Sequence, residues 1–318
     1  MRSSIIRLCA VSCALLALSG GLAAQGGRGG TQSENMRAAQ AALREGRTAD
    51  ALTAVRKEAQ ANPTSTSAAN LLDTLGATTE ARAIFQRIAD TADPAGKAAA
   101  QRSIAMSYAF DGDCANTIKY EDMVIAYWKT REQAEPQNAF YQQGEMANEG
   151  ARVCIDLGQL DVAEKYYRLG RELGQKEPAP KTHPASLWDY RTAHALARLA
   201  ARRGNAAEAA RQVADARRLL DADKAMAEAQ ERFFPYLTGY VALYLNDLKT
   251  ADADLTKALA IQGNTTDPFM HWLLGSVSEK LGQADRAKAL FAKAYSLATA
   301  HNPPAAFVRA ALRKTHER

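Results

Sequence analysis

Seven times along this chain, a residue able to adopt a left-handed turn is followed at fixed distances by small or apolar residues. At the clearest instance Gly282 stands seven residues after Gly275, with Leu274 beside that glycine, and is followed by Ala287, Phe291 and Ala294. The last three lie on one stripe of a helix. A small residue where two helices cross lets them approach, the aromatic fills the space between units, and the turn glycine ends the first helix. The unit is a helical hairpin. Composition agrees. The 318 residues are 47% hydrophobic, Ala forming the largest part, and few are β-branched, which favours helix throughout. That apolar content beside 24% charge excludes a disordered or collagen-like chain.

The same frame recurs upstream. Asn246 takes the turn position in the preceding unit, with Gly239 before it and Ala251, Leu255 and Ala258 after it. Gly204 follows Ala197 and leads to Ala209, Val213 and Ala216; Gly158 leads to Ala163 and Tyr167, with Gly170 in place of the last Ala. Gly112 heads a poorer copy, where Thr117 and Glu121 replace the expected Ala and apolar residue. Gly76 is followed by Ala81 and Phe85, and Gly46 by Ala51 and Val55, with Pro63 closing that unit. This pattern resembles the tetratricopeptide repeat, a family of helix–turn–helix arrays.

The resemblance implies an all-α solenoid with a right-handed superhelix, of about seven hairpins covering roughly residues 35–300. Turn-to-turn spacings are 30, 36, 46, 46, 42 and 36 residues, against a family period of about 34. Extra sequence falls at 129–143 around Pro136, and at 174–186, which holds Pro178, Pro180 and Pro184. A third stretch, 219–234, is rich in helix formers and is expected to lengthen helices. A small irregular helical-repeat domain of the same ancestry is the competing reading. Phe307, Ala310 and Ala311 share one face near the C-terminus, which suits a terminal capping helix with a polar outer side.

Residues 1–24 read as a secretory signal peptide. Arg2 and Arg7 precede an apolar stretch at 8–18, and small residues end at the cleavage candidates Ala23 and Ala24. That stretch is too short to span a bilayer, and no other approaches the length. Residues 25–34 form a flexible Gly-rich leader before the repeat domain at 35–318. The expected mature chain is exported, periplasmic or secreted. Its charge falls from +5 to +3 with loss of the two arginines, too mild a bias to argue for nucleic acid.

No catalytic or cofactor motif is present. No two of the five His stand at metal-sharing helical spacing, and there is neither a phosphate loop nor a nucleophile elbow. The chain is expected to be non-catalytic, with no metal and no cofactor. In a stacked array Cys114 begins one helix and Cys154 nears the end of a neighbouring one, both at the turn end. An exported chain can join them in a disulfide; two buried free thiols are the alternative.

In tetratricopeptide arrays the first helix of each hairpin lines a concave groove. Arg191, His194, Arg198 and Arg202 form one continuous helix face here, with Asn148 and Arg152 on the preceding hairpin. Tyr236, Tyr240 and Tyr244 follow on the next hairpin and Phe269 and Trp272 on the last. The groove is expected to be cationic in the middle and aromatic toward the C-terminus, suited to a protein or peptide partner with acidic and apolar residues. Bland readings stand beside this one: a solvated arginine stripe, and tyrosines filling a core. The main expectation is an exported interaction scaffold. The alternatives are a structural spacer or self-assembling module of the cell envelope, and a small-anion or glycan-fragment binder or enzyme using the central basic pocket.

Overall fold

A computed structural model describes residues 32–184 and 186–316. The signal-peptide reading and most of the leader therefore lie outside the described residues. Seven helical hairpins follow one another along the chain. They are α1 (Glu34–Arg44) with α2 (Thr48–Ala61), α3 (Thr66–Thr74) with α4 (Thr78–Thr91), and α5 (Pro94–Asp111) with α6 (Cys114–Lys129). Next come α7 (Pro136–Asp156) with α8 (Leu160–Gly174), and α9 (Leu187–Arg202) with α10 (Ala206–Ala222). A short helix, α11 (Lys224–Gln230), and one 3-10 turn precede α12 (Phe234–Tyr244) with α13 (Leu248–Ala260). The last pair is α14 (Pro268–Lys280) with α15 (Ala284–Leu297), and α16 (Pro303–His316) ends the fold. It is an all-α helical-repeat array.

The turn residues behave as their spacing predicts. Gly46, Gly76, Gly112, Gly158, Gly204 and Gly282 all have positive φ, as does Asn246 at 64°. At the Gly282 turn, the N–H of Gln283 bonds back to the Ser278 carbonyl and the N–H of Gly282 to that of Glu279, so the last carbonyls of α14 are satisfied. Asn205 and Asp247 then cap the following helices, their side chains accepting from Glu208 N–H and Thr250 N–H. At the helix crossings a Cβ on Gly275 would stand 2.7 Å from the Phe291 ring, and one on Gly239 the same distance from Leu255. Ala287 and Ala294 are buried on the facing stripe.

The enlarged middle units differ from expectation in an instructive way. Most of the 129–143 insertion is absorbed by α7, which Pro136 starts and which runs for 21 residues. Trp188 of α9 then wedges against Gly144 of α7 and Gly174 of α8, where added Cβ atoms would lie 2.4 and 1.9 Å from the indole. Only hydrogens fit at these two positions, so both glycines are set by packing. The 219–234 stretch lengthens α10 only as far as Ala222, giving it 17 residues. Asp223 interrupts it: the residue ends α10, and its carboxylate accepts from Met226 N–H and from the Ser186 hydroxyl, which starts the separate α11.

Cys114 and Cys154 are joined in a disulfide, with Cα atoms 5.0 Å apart, tying the start of α6 to the end of α7.

The largest correction concerns α16. It packs on α14 and α15, as an end cap does, but also on α3, α5 and α7. It therefore lies across the interior of the array. The physical reason is its apolar girth: Ala305, Ala306, Phe307, Val308 and Leu312 are all buried, whereas Ala310 and Ala311 are only half-buried. A helix that is apolar over more than one face needs cover on more than one side. Phe307 meets Phe269 edge-on at 5.1 Å. Just before the helix, His301 Nε2 lies 2.8 Å from the fully buried carboxylate of Asp73 on α3, and its ring stacks on Phe110.

The poor match at Gly112 marks a buried polar cluster. Thr117 folds its hydroxyl back to the Asp113 carbonyl, and Glu121 is fully buried beside the Arg102–Glu149 ion pair. Burial, and then the neighbouring Glu149 carboxylate, push Glu121 well above the usual carboxylate range. Burial also opposes ionisation of Glu149, but the Arg102 guanidinium outweighs it and holds that carboxylate low. A raised folded-state value means the Glu121 contribution is complete below the unfolded value near 4.5 and is lost as pH rises toward the folded one. Glu121→Gln, which cannot ionise, is expected to gain on wild type as pH rises, by up to about 1.4 kcal/mol per pH unit inside that window. Denaturant melts of both proteins between about pH 5 and pH 9 check this; parallel curves would mean that Glu121 does not carry the proton.

Candidate functional site

The concave side of the array carries a cavity of about 420 Å3 between α7, α9, α12 and α14, closed on one flank by Asn302, Pro303 and Pro304 at the start of α16. Asn148, Arg152, Arg191, His194, Arg198, Tyr236 and Phe269 all line it. The helical spacing that grouped them by face thus brings seven of the eleven expected contact residues to one hollow.

The remaining four lie elsewhere. Tyr240 is fully buried and donates its hydroxyl to Asp156 at 2.8 Å, so it belongs to the core. Arg202 stacks over Tyr244 at 4.5 Å and stands 3.9 Å from the Asp156 carboxylate. Tyr244 and Trp272 line a separate, smaller hollow near the turn ends of α12 and α14. Trp272 also stacks on Phe269. Phe269 is 2% exposed beneath Phe307, so α16 already covers its edge. A stripe with a four-residue period drifts around a 3.6-residue helix, which is why Tyr236 reaches the cavity and Tyr240 does not.

The expected cationic middle is largely compensated. Arg191 is paired with Glu145, which stands one turn before Glu149 on α7; the sequence pattern singled out neither. Glu149 is paired with Arg102 at 2.7 Å. Arg198 is buried and donates to the Tyr167 hydroxyl at 2.9 Å. Asp267 serves as the cap of α14, accepting from the N–H groups of Phe269 and Met270. Arg152 stands over the Phe307 ring at 5.9 Å and Arg232 over Phe233 at 4.5 Å; neither makes an ion pair among the described residues.

Burial and the charges of Arg198 and Arg152 hold His194 well below its ordinary pKa, against a hydrogen bond to the Phe233 backbone. Its ring is neutral and stacks on Tyr236. Burial pushes the Tyr236 phenol up to about 12, so it is a hydroxyl at any physiological pH. Tyr190, Arg232, Phe233 and Met270 complete the wall. Arg232 and Phe233 lie in the 3-10 turn, outside any helical period, whereas Tyr190 stands one turn before His194 on α9 and the same spacing could have found it.

Among the described residues no group of three or more His, Cys, Asp and Glu could hold a metal ion, and no helix is long and apolar enough to cross a membrane. No curated protein matches the chain. The tetratricopeptide repeat family model matches residues 270–301, which are most of α14, the Gly282 turn and α15. The chain therefore carries a tetratricopeptide repeat at its seventh hairpin, with six further helical hairpins stacked in series before it.

Proposed function

We propose that this protein is an exported, non-catalytic scaffold that holds a helical segment of another polypeptide against its concave face. A role in protein–protein interaction follows from the repeat; export and the form of the partner are the proposal. The observation that carries it is α16. An amphipathic helix of this chain lies against α3, α5 and α7 from the inside, with Phe307 set on Phe269 and Arg152 above its ring. A surface that accepts one helix in this way has the shape and the apolar anchors for a helix supplied from outside. The signal-peptide pattern at 1–24 supports export, and the Cys114–Cys154 bond suits an oxidising compartment.

In this reading α16 is the resident occupant and a partner competes with it. The test compares wild type with Phe307→Asp as baits in cell-envelope extract, with and without a synthetic peptide of residues 303–318. A polypeptide enriched by the variant and released by the peptide supports the reading. Equal capture by both baits, or capture indifferent to the peptide, moves the function to another face.

A further inference from the structure

The cavity beside α16 has more donors than its own fold uses. Tyr236 is 5% exposed, faces the cavity, and its hydroxyl has no hydrogen-bond partner among the described residues. A phenol removed from water without a partner is costly, and native interiors rarely leave one. The charged groups that act on that hydroxyl are Arg198 and Arg152, then Asp156 and Asp267. Asp267 is occupied as a helix cap, and Asp156 is buried and takes the Tyr240 hydroxyl. The acids on the cavity wall are likewise engaged, Glu145 by Arg191 and Glu149 by Arg102. Two guanidiniums on the wall, Arg152 and Arg232, stand over aromatic rings and make no ion pair among the described residues, although the charge of Arg152 also acts on the Glu149 and Asp156 carboxylates. The first turn of α16 supplies no competing donors, since Pro303 and Pro304 lack N–H groups and Ala305 N–H is taken by Asn302.

We propose that this cavity is a binding site for a small organic anion, a carboxylate or phosphate ester with an apolar body. Its charged end accepts from Arg152 and the Tyr236 hydroxyl, and its body lies against Phe233, Phe269 and Met270. A volume of about 420 Å3 falls in the ordinary range for small-ligand sites, where a few convergent polar groups sit on an apolar wall. Guanidinium and phenol are the donor types that carboxylate and phosphate oxygens take. The inference does not rest on the polypeptide reading above, because the cavity is present with α16 in place.

The test uses the full chain with its disulfide formed, and three probes: phenylacetate, phenyl phosphate, and the uncharged phenylacetamide. Binding is followed by calorimetry and by chemical-shift changes at the His194 ring. The anions are expected to bind in the millimolar range or tighter, and the amide at least roughly tenfold more weakly. Tyr236→Phe is expected to melt at the wild-type temperature or above it, since the hydroxyl has no partner to lose, and to weaken anion binding roughly tenfold. Arg152→Gln is expected to weaken it by a similar factor. Whichever anion binds more tightly assigns the site to carboxylates or to phosphate esters. Absence of anion binding in the millimolar range overturns the proposal, as does equal binding of the amide, or an affinity unchanged in Tyr236→Phe. Phe307→Asp separates the two readings: a polypeptide enriched by that variant, with anion binding unchanged in Tyr236→Phe, sinks only the cavity, and equal capture by both baits, with anion binding weakened in Tyr236→Phe, sinks only the groove.

Discussion

Phe307→Ala is expected to destabilise the chain by roughly 3–5 kcal/mol, the range for removing a buried phenyl ring. Phe307 is 7% exposed and sits where α16, α14 and α7 meet, edge-on to Phe269 and under Arg152. Truncation leaves a void where the C-terminal helix joins α14 to α7. Repeat arrays are otherwise stabilised by nearest neighbours only, so α16 gives this one a long-range coupling that a simple solenoid lacks. Calorimetry should show the transition falling by about 10 °C, on the scaling for a domain of this size. Hydrogen exchange should then rise in α7 and α16 together, because Arg152 and Phe307 lose the same contact. An unchanged melt would mean that α16 is only loosely seated. Exchange rising in α16 alone would mean that it caps the end without holding the middle. His301→Ala offers an independent check at the other anchor, since it takes the imidazole from the buried Asp73 carboxylate and leaves the Ser107 hydroxyl donating to it at 2.6 Å.

Removing the disulfide, as Cys114→Ala with Cys154→Ala, is expected to cost about 4 kcal/mol, the chain-entropy value for a loop of this length. The half-cystines are 40 residues apart in sequence, and the enclosed loop includes all of the irregular connection before α7. Cys154 is fully buried and Cys114 8% exposed, so paired alanines keep most of the packing and the loss falls mainly on the unfolded state. The signature is a lower denaturant midpoint together with a larger m-value, because the unlinked chain unfolds to a more expanded ensemble. Reductant should bring the wild type down to the variant and leave the variant unmoved. A wild-type midpoint indifferent to reductant would show that the bond contributes nothing in solution.

How far the residues alone carry this structure can be judged position by position. The turns were legible because a left-handed φ is a local demand: it is met by glycine or asparagine, and the residue type records it at Gly46 through Gly282. The crossings were legible for a similar reason, as Gly275 and Gly239 each leave room for a residue sixteen positions later. Trp188 was not legible as a wedge, since the glycines that admit it, Gly144 and Gly174, lie on two other helices. The cavity was legible by face but not by balance. Periodicity groups Arg152, His194, Arg198 and Tyr236, yet no spacing reveals that Glu145 reaches Arg191 from 46 residues away, or that Tyr236 has no partner.

What the sequence by itself determined is therefore everything decided within one hairpin: helix, turn, small-residue crossing, and the order of seven such units. Each depends on residues less than a turn-to-turn distance apart, where backbone geometry fixes who meets whom. Only the tertiary structure decided the course of α16, and with it the character of the concave face. One apolar face reads as an end cap, whereas burial of Ala305, Ala306, Phe307, Val308 and Leu312 takes cover from several helices that lie far away in the chain. Asp73 and His301, 228 positions apart, meet beside that helix, and their meeting depends on how all the hairpins between them stack.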